Sequence, residues 1–96
     1  MITKRPVDGG ERAKVTFTLP AGERKVAVAG DFNDWDLKAT PMKKRGDTRA
    51  ATVTLDRGRR YAFRYVDEDG RWFNDDQVDD LESNGLGEAN CVIDLS

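Results

Sequence analysis

Five stretches of this chain alternate apolar and polar side chains with a period of two, a pattern that points to antiparallel β-structure. Val15, Phe17 and Leu19 alternate with Lys14, Thr16 and Thr18, and Val26 and Val28 follow within residues 24–29. Ala51, Val53 and Leu55 alternate with Arg49, Thr52 and Thr54; Tyr61, Phe63 and Tyr65 with Ala62, Arg64 and Val66; Cys91, Ile93 and Leu95 with Asn90, Val92 and Asp94. Successive strand residues point to opposite faces, so such segments bury one face and wet the other. Their β-branched and aromatic content suits a pleated surface. Pro20-Ala21-Gly22, Asp56-Arg57-Gly58 and Asp67-Glu68-Asp69-Gly70 supply turn chemistry between them. No window of a dozen residues carries a helical period. Short strands at spacings of roughly 8–12 residues predict an all-β sandwich. Val15, Phe17, Val26, Val28, Val53, Leu55, Phe63, Tyr65, Ile93 and Leu95 are expected to supply most of its buried area.

At 96 residues the chain makes one domain with one modest core, too short for an α/β barrel. Residues 1–10, with Pro6 and Gly9-Gly10, read as a flexible leader, and the domain as residues 11–96. The initial Met and the end just after the last strand read as a complete small protein. Eighteen acids against 16 bases give a net charge of −2. No basic excess supports a sequence-independent grip on nucleic acid. Lys43-Lys44-Arg45 and the Arg57–Arg60 cluster read as solvated hairpin ends.

The chain has no His and one Cys, Cys91. This removes Ser-His-Asp and Cys-His catalysis, His-ligated metals, Cys-pair zinc sites and any intramolecular disulfide. Cys91 itself reads as a small buried apolar residue. The acidic stretch 75–80 has the flavour of a calcium loop. It lacks Gly at the sixth position and has Leu86 where a bidentate Glu belongs, so it reads as a solvated acidic loop. No cofactor, metal or catalytic activity is expected. No apolar run approaches the ~18–20 residues of a membrane-spanning helix, and no signal core follows the N-terminus. The expected compartment is the cytoplasm, without membrane association.

Two longer connections remain, residues 30–40 and 74–88, and long loops on a rigid sandwich are where function concentrates. In the first, Trp35 stands between Asp34 and Asp36 and reads as exposed. Trp72 and Phe73 must face opposite ways, and periodicity leaves open which faces out. Arg64 lies opposite the Tyr61, Phe63 and Tyr65 face, and Asn90 opposite Cys91, Ile93 and Leu95. Taken singly, both are ordinary solvated residues.

Taken as a series, residues 26–35 (Val-Ala-Val-Ala-Gly-Asp-Phe-Asn-Asp-Trp), Pro41-Met42, Leu55 with Arg57-Gly58, Tyr61–Asp67, Asp69-Gly70-Arg71-Trp72, Asn84-Gly85-Leu86-Gly87 and Asn90 resemble carbohydrate-binding module family 48. That family includes the glycogen-binding domain of the AMP-activated protein kinase β subunit and the early-set sandwich of branching and debranching enzymes. The resemblance covers roughly residues 11–95. It implies an immunoglobulin-like early-set β-sandwich of about seven to eight strands that recognises α-1,4-glucan such as glycogen or maltooligosaccharide. By motif position, Trp35 and Trp72 would form the aromatic platform, Arg64 and Asn90 would hydrogen-bond sugar hydroxyls, and Leu86 would reach around the glucan. The chain departs from the family in a longer hairpin at 67–70, in Asn74-Asp75 where Asp-Pro is common, in Arg64 for Lys and in Glu88 for Thr. Some early-set sandwiches do not bind sugar. The alternative reading is therefore a scaffold or interaction domain beside a glucan-active enzyme.

Overall fold

The computed structural model describes residues 1–22, 24–75, 77–78, 80–83, 85 and 87–96. Among these the chain is all-β, with nine strands: β1 (Ile2–Val7), β2 (Arg12–Pro20), β3 (Val26–Gly30), β4 (Lys43–Arg45), β5 (Thr48–Asp56), β6 (Arg60–Asp67), β7 (Trp72–Phe73), β8 (Asp80–Ser83) and β9 (Ala89–Asp94). Only single turns of 3-10 helix, at Asp8–Gly10 and Asp31–Asn33, interrupt them. One sheet has the order β1-β2-β5-β4 and the other β3-β6-β9-β8, with β7 also paired to β6. All pairings are antiparallel. The two sheets form an early-set, immunoglobulin-like sandwich.

The five alternating segments form β2, β3, β5, β6 and β9. Tyr61, Phe63 and Tyr65 are buried with Cys91, Ile93 and Leu95 on one side and Ala13, Val15 and Phe17 on the other. Phe17 sits at the centre. Its ring meets Phe63 edge-on at 5.0 Å and Tyr65 at 6.4 Å, and stacks on Phe32 at 5.8 Å. Burying each such ring contributes about 1.5–3 kcal/mol. Val26 and Val53, expected in the core, are only half-buried. β3 is an edge strand, and β4 ends opposite Ala50, which leaves Val53 without a sheet neighbour on that flank.

Three expectations are corrected by the fold. Residues 1–10 are not a frayed leader, because Ile2–Val7 pair along β2 from Ile2↔Phe17 to Val7↔Arg12. An edge strand needs only one partner and tolerates Pro6, so its sequence shows little alternation. The connection 74–88 contains β8, whose four residues are all exposed on the edge of the second sheet.

The acidic stretch is not wholly solvated either. Asp75 is 5% exposed and accepts hydrogen bonds from the Tyr65 hydroxyl (2.7 Å), the Met1 amino group (2.5 Å) and the Gln77 N–H (2.8 Å). Burial works to raise the Asp75 carboxyl. The amino group, the Gln77 N–H and the Tyr65 hydroxyl outweigh it and hold the group below its ordinary value. Burial, then the Asp75 hydrogen bond, pushes the Tyr65 phenol far upward.

Candidate functional site

The site grows from the turn after β3. Gly30 is buried, and a Cβ there would lie 2.6 Å from the Ala62 carbonyl oxygen and 2.8 Å from Phe63 Cβ. The close approach of β3 to β6 therefore admits only glycine. Asn33 ties the turn shut: its Oδ1 accepts from the Gly30 N–H, and its amide donates to the Val28 carbonyl and the Thr40 hydroxyl. Phe32 turns inward onto Phe17. Asp34 and Trp35 take left-handed backbone angles, φ 56° and 58°, and the Trp35 N–H closes on the Gly30 carbonyl at 2.9 Å. Asp31 spans two elements. One carboxylate oxygen accepts from the Ala62 N–H at 2.8 Å and the other from the Trp35 indole N–H at 3.1 Å. These contacts hold the Trp35 indole half-buried at the surface, not fully exposed as its acidic neighbours suggested, because Asp31 and the turn close against it.

The second indole comes from the β6–β7 hairpin. Asp67 organises its tip, with one carboxylate oxygen accepting from the Asp69 and Arg71 N–H groups. An Arg24–Asp69 ion pair braces it from outside. The register sets Phe73 opposite Tyr65 and Trp72 opposite Val66. Phe73 accordingly packs on the core ring of Tyr65 at 5.4 Å, and Trp72 faces out, 40% exposed. The Trp35 and Trp72 rings stand 6.4 Å apart, inclined at 47°.

Arg64 lies on the same outer face. Its guanidinium carbon is 6.0 Å from the Trp72 ring centroid. Its Nε donates to Asn74 Oδ1 at 2.8 Å, and one terminal nitrogen donates to the Glu88 carboxylate at 2.7 Å. Asn74 in turn donates to the Ala89 carbonyl, joining the end of β7 to the start of β9. The side chain of Arg64 is 12% exposed. It is a cation held on three sides, by an amide, a carboxylate and an indole. Around it Ala29, Ala62, Val66 and Val92 form a buried floor. The β6–β9 register runs Arg60↔Asp94 to Phe63↔Cys91. Its next step sets Asn90 beside Arg64, half-buried and on the same face. Trp35, Trp72, Arg64 and Asn90 therefore share one surface. Leu86 lies outside the described residues.

Residue-by-residue reading of the sequence missed Asp31 and Asn74 as members of this surface. Asp31 had a local signal, its place inside the Gly30–Trp35 motif. Asn74 had none, since its role depends on the gap between β7 and β9. Cys91 lies buried beneath the face, and burial raises its thiol above its ordinary value, which fits an unreactive core residue. Among the described residues no cluster of three or more Cys, Asp or Glu could hold a metal ion, and no helix is long and apolar enough to cross a membrane.

The molecule is a two-sheet sandwich that sets paired indoles and a braced guanidinium on one open face. The family described as the glycogen recognition site of AMP-activated protein kinase matches residues 13–96, and the chain belongs to that family. It is also 36% identical over 70 residues to the 1,4-alpha-glucan branching enzyme GlgB 2 of Xanthomonas campestris pv. campestris, a match covering 70% of this chain and 10% of that enzyme. Identity to GlgB of Novosphingobium aromaticivorans is 44% over 50 residues, covering 49% of this chain and 7% of the enzyme. Identity to GlgB 2 of Rhizobium johnstonii is 34% over 67 residues, covering 67% and 9%. The chain thus spans a tenth or less of the length of these relatives.

Proposed function

We propose that the outer face of the β3-β6-β9 sheet binds α-1,4-glucan, such as glycogen or a maltooligosaccharide, and that the chain acts by binding alone. The observation that carries this reading is the tilted Trp35–Trp72 pair beside Arg64 in a glycogen-recognition family. An indole covers the C–H face of a glucose ring. Two faces inclined to each other suit consecutive sugars of a curved chain better than a flat one. Arg64 and Asn90 supply donors for the ring-edge hydroxyls. Asn74 and Glu88 hold the guanidinium in place beforehand, so little freedom is lost on binding. Leu86 is assigned to this site by its motif position alone, as the residue that would reach around the glucan.

Stacking two sugars removes ~200 Å² of apolar surface from water, a gain of ~5 kcal/mol at ~25 cal/mol/Å². Association and ordering offset several kcal/mol of it. A dissociation constant in the ~μM to mM range remains for a short oligosaccharide, with tighter apparent binding on the many chain ends of glycogen. Partnership with a glucan-metabolising enzyme is a second reading, favoured by the identity to branching enzymes. Intrinsic tryptophan fluorescence titrated with glycogen, maltoheptaose and a galactan control tests the proposal. Saturable change with the first two only is the expected result, and equal response to galactan would remove the glucan assignment. The chain releases no reducing sugar from starch in this reading.

A further inference from the structure

The opposite face of the sandwich has a different chemistry. On the outer side of the β1-β2-β5-β4 sheet the register aligns Thr3, Thr16 and Thr52 in one row across three strands. The Thr16 and Thr52 hydroxyls bond each other at 3.1 Å. The next row toward one end is Arg5, Lys14 and Thr54; toward the other end it is Thr18, Ala50 and Lys43, followed by Pro20, Thr48 and Arg45. One concavity lies over Thr3, Arg5, Lys14, Thr16 and Thr52; a second continues from Thr16 and Thr52 past Ala50, Lys43 and Arg45 and turns round the open edge of β5 to Val53 and Pro41. Among the described residues no carboxylate lines either of them. Arg5, Lys14, Lys43 and Arg45 make no ion pair among the described residues, whereas Arg12 at the margin pairs with Asp56.

Arg5 directly opposes Lys14 across the β1–β2 ladder. Like charges at that position destabilise a sheet unless an anion lies between them. Rows on one strand face repeat every two residues, roughly 7 Å. The cations therefore spread over roughly 20 Å along the strand direction, too far for one phosphate to bridge. An extended peptide presents alternate side chains at the same roughly 7 Å repeat. Among the described residues no aromatic side chain lines the trough to stack a base, and the chain's net charge of −2 opposes a polyanion as large as a nucleic acid. A second copy would have to lay its other outer face on this one, where Arg60 already pairs with Asp80 and Asp94 and Arg64 with Glu88. Because the two faces lie on opposite sides of one sandwich, that contact would repeat without closing.

We propose that this threonine-floored basic trough docks an extended acidic segment of a partner protein, with carboxylates at alternate residues, while the glucan face on the other side stays open. The test is fluorescence anisotropy in low salt with a fluorescein-labelled (Glu-Thr)6 peptide, with (Lys-Thr)6 as control. Saturable binding of the acidic peptide alone is expected, weakening at least fivefold between 50 and 200 mM salt, since screening acts between the charges. Lys43→Ala with Arg45→Ala, and separately Arg5→Ala with Lys14→Ala, each reduce that binding at least fivefold and leave the maltoheptaose titration unchanged. Trp72→Ala leaves peptide binding unchanged. Should the β1–β2 pair of substitutions unfold the chain, the β4 pair, on an exposed three-residue strand, decides alone. Binding that is absent, equal for the two peptides or insensitive to the substitutions overturns the proposal. So does tighter binding of polyphosphate or single-stranded DNA, or self-association that the same substitutions abolish.

Discussion

The indole of Trp72 stands 6.4 Å from that of Trp35 at an inclination of 47°, and the two arrive from opposite edges of β6, one through the turn after β3 and the other through the β6–β7 hairpin. If each ring covers one sugar, Trp35→Ala and Trp72→Ala should each weaken glycogen binding by about 1–3 kcal/mol, on the scale of aromatic stacking for nucleobases. Isothermal titration with maltoheptaose, alongside circular dichroism to verify the fold, reads this directly. Unchanged affinity in both variants would leave the scaffold reading in place.

Asn74 should behave as a positioning residue. Its amide oxygen holds Arg64 Nε, and its amide nitrogen holds the Ala89 carbonyl. Asn74→Ala frees the guanidinium to swing toward Glu88, and glucan affinity should fall by about 1 kcal/mol, the net worth of a solvent-exchanged hydrogen bond. Arg64→Ala should cost about the same, and the double substitution little more than either single one. A fully additive double mutant would show that Asn74 acts by another route.

Gly30 limits the approach of β3 to β6. Gly30→Ala places a Cβ against the Ala62 carbonyl and Phe63 Cβ, and neither can yield without moving β6. Overpacking of this kind costs about 1–3 kcal/mol. Differential scanning calorimetry should show the Tm lower by about 4–8 °C for each kcal/mol. Trp35 should become more mobile, because its N–H closes on the Gly30 carbonyl.

Acid should unfold the protein partly through Asp75. The folded carboxyl titrates below its ordinary value, which is about 3.9 for the unfolded chain. Its contribution is therefore fully present above that value and is lost as pH falls through the lower, folded one. Asp75→Asn leaves the Met1 amino group and the Tyr65 hydroxyl with poorer acceptors and should cost about 1–3 kcal/mol at pH 7. The same variant should show a shallower loss of stability below about pH 4, measured by urea unfolding across pH. An acid limb as steep as that of the parent would mean that other carboxylates carry it.

The alternating segments determined the two-sheet fold and most of the core by themselves, because burial on one face of a pleated strand forces a period of two and little else satisfies it. The Gly30–Trp35 turn was equally local, because its hydrogen bonds run mainly among neighbours. Other features rest on partners distant in sequence. Trp72 faces out because the β6–β7 register puts Phe73 on Tyr65; alternation alone allowed either face. β1 and β8 exist because an edge strand needs one partner and no apolar stripe of its own. Asp75 looked like one of several solvated acids until Tyr65 and the amino terminus met it in the interior. Arg64 and Asn90 looked like ordinary surface residues. Only the joining of β6, β7 and β9 set them on one floor, since a side chain's surroundings belong to the strands beside it and not to its neighbours in the chain.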